Sequence, residues 1–292
     1  MKNLIYNQPS RREGFASFQG AHLQISDHLK KHIRPETDNE FGYYLAGLIE
    51  GDGFFGDHRF EIAFNKEDIF LAYYIKKKIG YGSVLKLKGK IRTQVEYNFN
   101  SIRPIKYILK HTKGLKKVLN LVNGKFLGEL IINQILKHGF DKEFDIKLLP
   151  PANFDLMTNY WLTGFTEANG NFIINIMSPL LGGKSPPEGE GIYNKTLIPQ
   201  IIFKFQHKEL YSQKFNTINT KIQIESKSHL LKLIDFKSTK KVIEYFDKYQ
   251  LNSSKWIKYL KWRKAYRIVQ RKEHLTQIGL NKIRKLQGNL RD

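Results

Sequence analysis

A carboxylate stands where helix electrostatics disfavour one. In the stretch Leu45–Gly53, LAGLIEGDG, Asp52 falls in the last turn of an apolar helix and directly precedes Gly53. It therefore faces the negative end of the helix dipole, at a cost of about 0.3–1 kcal/mol when nothing compensates it. Lys or Arg would suit the place, and a divalent cation would offset the acid. Gly53 is expected to supply a left-handed C-terminal cap. Glu50, two residues earlier, points to another side of the helix and is read as structural. A second stretch, Leu162–Gly170, LTGFTEANG, carries Asn169 at the matching place. An amide oxygen can ligate a hard cation but brings no net charge. It also removes a route for orienting or deprotonating water. For either stretch alone, an ordinary amphipathic helix with a glycine cap is the competing reading.

The two stretches belong to a longer repeat. Tyr43–Phe55 (YYLAGLIEGDGFF) and Tyr160–Phe172 (YWLTGFTEANGNF) align without gaps at an offset of 117 residues and share Tyr, Leu, Gly, Glu, Gly and Phe. Gly47 and Gly51, four apart, match Gly164 and Ala168. Small residues at that spacing let two helix backbones approach closely, so the two helices should pack side by side on a pseudo-twofold axis. After the first copy, periodicity predicts a strand over 59–65 and a helix over 67–79. Strands over 83–88 and 93–99 follow, then a helix from Pro104 and another over 126–137. After the second copy it predicts strands over 172–177 and 197–205 and a helix over 208–218. Strands over 221–225 and 229–236 and a helix over 239–249 complete it. The order αββαββα thus occurs twice. Residues 1–39 form an N-terminal arm, 40–145 a first half-domain, 146–155 a linker around Pro150-Pro151, and 156–292 a second half-domain with basic C-terminal helices. The Gly- and Pro-rich run Pro179–Lys195 reads as a loop insertion.

Charge names the partner class. The chain of 292 residues carries 49 Lys+Arg against 27 Asp+Glu, a net +22, which points to a polyanion rather than to a merely well-solvated surface. There are no cysteines, which excludes disulfides, zinc-thiolate sites and thiol nucleophiles. No run approaches the roughly 20 apolar residues that span a bilayer, so no membrane partner is expected. The N-terminal apolar run is too short for a secretory signal. From Lys255 to Asp292 there are twelve Lys or Arg against one Glu and one Asp, with Trp256, Tyr259, Trp262 and Tyr266 among them. Such a mixture can stack on RNA bases, but the simpler reading is that the aromatics dock the helix on the body.

At these residues the sequence resembles the LAGLIDADG family of homing endonucleases and intron maturases, in its single-chain, two-motif form. The likeness runs over about residues 40–290 and includes Lys272–Leu286, KEHLTQIGLNKIRKL, which is similar to the family's closing segment. The resemblance implies an α+β fold of two pseudo-symmetric αββαββα half-domains. Each would present a curved antiparallel sheet, together a saddle over the DNA major groove, with the motif helices at the central interface. It implies a catalytic set of Asp52, Asn169, Lys125 (in VNGKF) and Lys255 (in NSSKW). Mg²⁺ would be held where the helices meet, by Asp52, Gly51, Asn169 and Ala168. Contacts to double-stranded DNA are expected from Arg59, Lys86, Lys88, Lys90, Arg92, Gln94, Lys204, Gln206, Lys221, Lys227 and Lys232, since a β-ribbon can read base edges in the major groove and alternation turns half of each strand toward it. It implies a monomer, because tandem halves already supply the twofold. With the missing targeting segment and a Lys/Asn/Ile-rich composition, it implies a mitochondrial, organelle-encoded protein. Asn169 departs from the family's acid. Cleavage should then be impaired or confined to one strand. Silent DNA binding, or a maturase role on the host group I intron RNA, needs no carboxylate.

Overall fold

Thr37 and Glu40 start the first motif helix by capping each other. The Glu40 amide donates to Thr37 Oγ1 at 3.1 Å, and the Thr37 amide to Glu40 Oε2 at 3.3 Å. Such a reciprocal pair satisfies two amides that the first helical turn leaves without partners. The computed structural model describes residues 24–87, 103–177, 198–207, 221–225, 228–233 and 235–291. Numbered over these, the elements of the first half are α1 (Asp38–Asp52), β1 (Gly53–Gly56), β2 (Arg59–Phe64), α2 (Ile69–Ile79), β3 (Ser83–Lys86), β4 (Ile105–Leu109), α3 (Thr112–Val122), α4 (Leu130–Lys137) and α5 (Phe140–Phe144). Those of the second are α6 (Trp161–Asn169), β5 (Gly170–Met177), β6 (Ile198–His207), β7 (Lys221–Glu225), β8 (Ser228–Leu233), α7 (Phe236–Lys248), α8 (Lys255–Gln270) and α9 (Gln277–Arg291). The class is α+β, with two four-stranded antiparallel sheets of orders β1-β2-β4-β3 and β5-β6-β8-β7.

Each sheet buries one face under its helices. Phe60, Ile62, Phe64, Ile105, Tyr107 and Leu109 are the inward positions of β2 and β4. In the second half Phe172 stacks on Phe203 at 5.3 Å and meets Phe246 and Trp262. In the first half Phe55 stacks on Phe60 at 4.7 Å, so the repeat extends into the cores. Each such side chain taken from water contributes about 1.5–3 kcal/mol. Tyr259, Trp262 and Tyr266 of α8 are fully buried. They dock that helix on the body and are not available for base stacking.

The helix expected from Pro104 begins only at Thr112, and the residues before it, Ile105–Leu109, are strand β4. Ile105, Tyr107 and Leu109 are buried in strict alternation with Lys106 and Ile108, a period of two that the apolar content of the segment obscured. The expected left-handed cap at Gly53 is also corrected. Gly53 has φ −83° and ψ 157°, extended backbone, and the chain passes straight from α1 into β1. Glycine is needed there because a Cβ would lie 2.7 Å from Ile49 Cα. The strand expected over 93–99, the helix over 208–218 and the loop over 179–195 lie outside the described residues. Of the arm, the described part packs on the body: His32 Nε2 bonds the Leu251 carbonyl at 2.8 Å, the Ile33 amide donates to Gln250 at 2.9 Å, and Arg34 sits 4.9 Å over the Tyr74 ring.

The two motif helices approach backbone to backbone at Gly47 and Gly164. A Cβ on Gly47 would lie 2.0 Å from the Trp161 carbonyl oxygen, and one on Gly164 would lie 1.9 Å from that of Tyr44. A Cβ on Gly51 would strike Ala168 Cβ at 2.2 Å. Backbone rests on backbone at the two glycines and on one methyl at Ala168, and both helices deliver their C-terminal ends to one place.

Candidate active site and nucleic-acid interface

The buried motif glutamates organise the surroundings of that place. Glu50 accepts from the amides of Leu127 (2.9 Å) and Gly128 (2.7 Å), and from the Trp161 indole across the seam (2.7 Å). Glu167 does the corresponding work in the second half. It accepts from the amides of Asn252 and Ser253, from the Ser253 hydroxyl, and from Tyr44 across the seam at 3.4 Å. Burial pushes the Glu167 carboxyl up to about 7, against the pull of Ser253, the Asn252 amide and Lys255. The turn at 127–128 is thus the counterpart of the turn at 252–253, and the helices that follow open on Leu130 and Lys255 respectively.

Lys255 extends to the end of α6, where its amine donates to the carbonyls of Thr166 (2.9 Å) and Ala168 (3.1 Å). Asp68 of the first half receives the Ser254 amide at 2.8 Å and fixes the start of α8. Burial lowers the Lys255 ammonium to about 8, and Glu167 and Asp52 oppose that. Asp52, its side chain 11% exposed, is ion-paired with Arg103. Burial raises its carboxyl above the usual range, with Arg103 and then Lys255 pulling the other way. Arg103 also reaches Ala168 O at 3.4 Å, and Asn169 Nδ2 donates to Gly51 O at 3.2 Å. The structure therefore gathers Asp52, Asn169, Gly51, Ala168 and Lys255. Among the described residues no cluster of three or more His, Asp or Glu side chains could hold a metal. A cation here would depend on one carboxylate, one amide and the helix-end carbonyls.

Lys125 is not brought to Asp52. Its amine lies 5.4 Å over the Tyr43 ring and its Cε packs beside Gly42, on the first turns of α1 and roughly 14 Å along the axis from Asp52 at 1.5 Å per residue. The position that corresponds to Lys255 is Leu130, set by the amides that Glu50 holds rather than by distance along the chain. Arg103 had no motif to announce it. Its place depends on β4 being a strand.

Register sorts the sheet residues. In β2, Arg59, Glu61 and Ala63 occupy the face away from the core. Arg59 is neutralised there by Glu61 (2.6 Å) and Asp57 (3.4 Å), and Lys106 also bonds Glu61 at 3.0 Å. Burial works against the charge on Glu61, but Lys106 and Arg59 outweigh it and its carboxyl lies below the usual range. Lys86 pairs with buried Ile105, so it belongs to the helix-covered side at an exposed edge. In the second sheet Asn171 pairs with Lys204, Lys204 with Lys232, and Lys232 with Lys221, one row across four strands. Gln206 pairs with Leu230 in the next row of the same face. Lys88, Lys90, Arg92, Gln94 and Lys227 lie outside the described residues. Like charges directly opposite each other destabilise a sheet unless something offsets them.

Comparison with known proteins gives concordant relatives. The family model described as LAGLIDADG endonuclease matches residues 162–266. An uncharacterized 37.2 kDa protein of cox1 intron 2 from Schizosaccharomyces pombe is 38% identical over 272 residues, covering 90% of this chain and 76% of that protein. The intron-encoded DNA endonuclease aI3 of Saccharomyces cerevisiae is 26% identical, covering 82% and 66%. Among solved structures, meganuclease I-SmaMI bound to uncleaveable DNA superimposes with a TM-score of 0.62 at 20% identity, over 85% of this chain and 97% of that one. The same meganuclease has been solved on an uncleaved DNA target in the presence of calcium ions, with a TM-score of 0.60 at 19% identity, over 86% of this chain and 99% of that one.

Proposed function

The chain belongs to the LAGLIDADG endonuclease family, and from that premise we propose that it is a site-specific DNA endonuclease whose one complete hydrolytic site lies around Asp52 and cuts a single strand. The observation that carries this is the convergence of Asp52 and Lys255 at the end of the glycine-packed seam. Their counterparts under the pseudo-twofold, Asn169 and Leu130, supply neither charge.

The donors at the seam suit a hard divalent cation, Mg²⁺ in the first instance. Asp52, the amide of Asn169 and the carbonyls of Gly51 and Ala168 offer only oxygen ligands, and two side-chain cations already converge on them. When bound, such an ion activates water and offsets charge on the phosphate. Asp52 holds it and orients water on one strand. Lys255, still largely protonated at neutral pH with its ammonium near 8, places positive charge where the departing oxygen gains its negative charge. The glycine contacts between α1 and α6 fix the spacing of these groups. Double-stranded DNA lies along the sheets, with the Lys204–Lys232–Lys221 row as the principal cationic track and Gln206 beside it. Lys86 and Lys125 are left out of the machinery. The protein works as a monomer, and the cox1-intron relative supports an organelle origin.

The test is a supercoiled plasmid carrying the intron-free junction of the gene that encodes this chain, incubated with Mg²⁺. Nicked circles are expected, with none from Asp52→Asn although that variant still binds the DNA. Linear product, or undiminished nicking by Asp52→Asn, would overturn the one-site reading. No cutting, combined with tight binding of the intron RNA, would transfer the function to RNA.

A further inference from the structure

Arg103 belongs to neither motif helix, yet it bridges both helix ends. One guanidinium nitrogen pairs with Asp52 of α1, and the other reaches the Ala168 carbonyl of α6 at 3.4 Å. It enters the site from the residue before Pro104, at the mouth of β4, where the first sheet meets the seam. We propose that Arg103 is the exchangeable counter-ion of the site: it holds Asp52 and the Ala168 carbonyl closed to divalent cations, and yields them when a cation binds.

The inference rests on reading the seam as a cation site. Its physical basis is competition for the same oxygens. Among the described residues Asp52 is the carboxylate ion-paired with Arg103, and burial already disfavours its charge. Without a partner that charge would be costly, and the guanidinium of Arg103 at contact distance offsets it. A divalent cation on the same carboxylate would stand only a few ångströms from Arg103, and like charges that close in a partly desolvated pocket repel strongly. The two occupants must therefore exchange. Lys255 already lies in the same pocket and repels Arg103, so the displaced side chain is driven away from the seam. Arg103 is 26% exposed and sits at the border of the sheet, so its way out leads toward the surface on which DNA would lie. A planar guanidinium fork there suits a phosphate. The same arginine would first guard the acid and then bind the backbone beside the cut.

The experiment titrates Tb³⁺ luminescence, excited through the protein's aromatics, into DNA-free protein, with Ca²⁺ as the competing ion. Arg103→Gln is expected to bind Tb³⁺ on the order of tenfold more tightly than the unaltered protein, the size of an ordinary coupling between two sites. Arg103→Lys, which keeps the charge but loses the fork, should gain less. Asp52→Asn should lose the signal whether or not Arg103 is present. Circular dichroism checks the fold, and if the Gln variant does not fold, the Lys variant carries the test. Unchanged or weaker Tb³⁺ binding in a folded Arg103 variant would overturn the proposal, as would a signal that survives Asp52→Asn. Cation binding is read here without DNA or turnover. Tighter binding in a protein that never nicks DNA would uphold the counter-ion and remove the nuclease reading. Nicking without any gain in cation affinity would do the reverse.

Discussion

Leu130 and Lys255 occupy the same position of the fold. Each opens the helix that follows a turn whose amides are held by a motif glutamate, Glu50 for Leu130 and Glu167 for Lys255. Under the pseudo-twofold, the partner of the Asp52–Lys255 pair is Asn169 with Leu130. Those two positions carry neither an acid nor a lysine, so under the one-site reading restoring the acid alone should not give cutting of the second strand.

The consequence is a two-step rescue. Asn169→Asp is expected to leave the product as nicked circles. Asn169→Asp combined with Leu130→Lys is expected to yield linear DNA from the same supercoiled plasmid. Leu130 is 41% exposed, so a lysine there carries little folding cost. Linear DNA from the single variant would mean that Lys255 serves both strands.

Glu167 should give the protein a stability that falls as pH rises. Its carboxyl is raised from 4.5 to about 7 in the folded chain, chiefly by burial. A raised acid binds its proton more tightly when folded, so the stabilisation is fully present below about pH 4.5 and lost as pH rises through about 7. Across that window the loss is on the order of 3 kcal/mol. Glu167→Gln resembles the protonated form and should remove that part of the slope. Urea unfolding of both proteins at pH 5 and pH 8 checks it, and parallel pH dependences would refute it.

Much of the seam was legible before the fold was known, because steric rules act on residue type and spacing. Gly47, Gly51, Gly164 and Ala168 could be paired from an offset of 117 residues, and their backbone contacts are those that small residues permit. Lys255 was legible as a basic residue after a short polar turn. Lys125 was not: VNGKF resembles NSSKW in the line of sequence, but only the amides that Glu50 captures reveal that Leu130, not Lys125, opens the next helix. Arg103 was hidden for a related reason. The run after Pro104 is apolar enough to pass for a buried helix, and short apolar runs do not separate helix from strand by periodicity alone. Gly53 was read for the wrong property, since conformational freedom and lack of a Cβ both select glycine.

The seam should not admit a single methyl group. In Gly164→Ala the new Cβ meets the Tyr44 carbonyl oxygen, and in Gly47→Ala it meets that of Trp161, with backbone on both sides and no side chain able to turn aside. Overpacking of this kind costs about 1–3 kcal/mol even where neighbours relax, and more is expected here. Gly288→Ala is the control. It lies on exposed α9 with nothing within 4 Å, and alanine's helix propensity should make it neutral or slightly stabilising. Thermal melts of the three variants decide it, and a Gly164→Ala protein that melts with the control would contradict the close approach.

The lysine row of the second sheet should carry more of the DNA affinity than the arginine of the first. Arg59 is spoken for by Glu61 and Asp57, so removing it also releases two acids from their partner. Lys204 and Lys232 pair with each other in register, and among the described residues no acid is ion-paired with either, so an arriving anion would relieve their mutual repulsion. Each phosphate contact that is lost should reduce the slope of log affinity against log salt by about 0.9. Lys204→Ala and Lys232→Ala are thus expected to weaken binding and to flatten that slope by nearly one apiece. Arg59→Ala should leave the slope close to that of the unaltered protein. Fluorescence anisotropy on the target duplex at several KCl concentrations measures both quantities. Equal slopes for Lys204→Ala and the unaltered protein would remove the row from the phosphate track, while a steep loss in Arg59→Ala would mean that DNA draws that arginine away from its two acids.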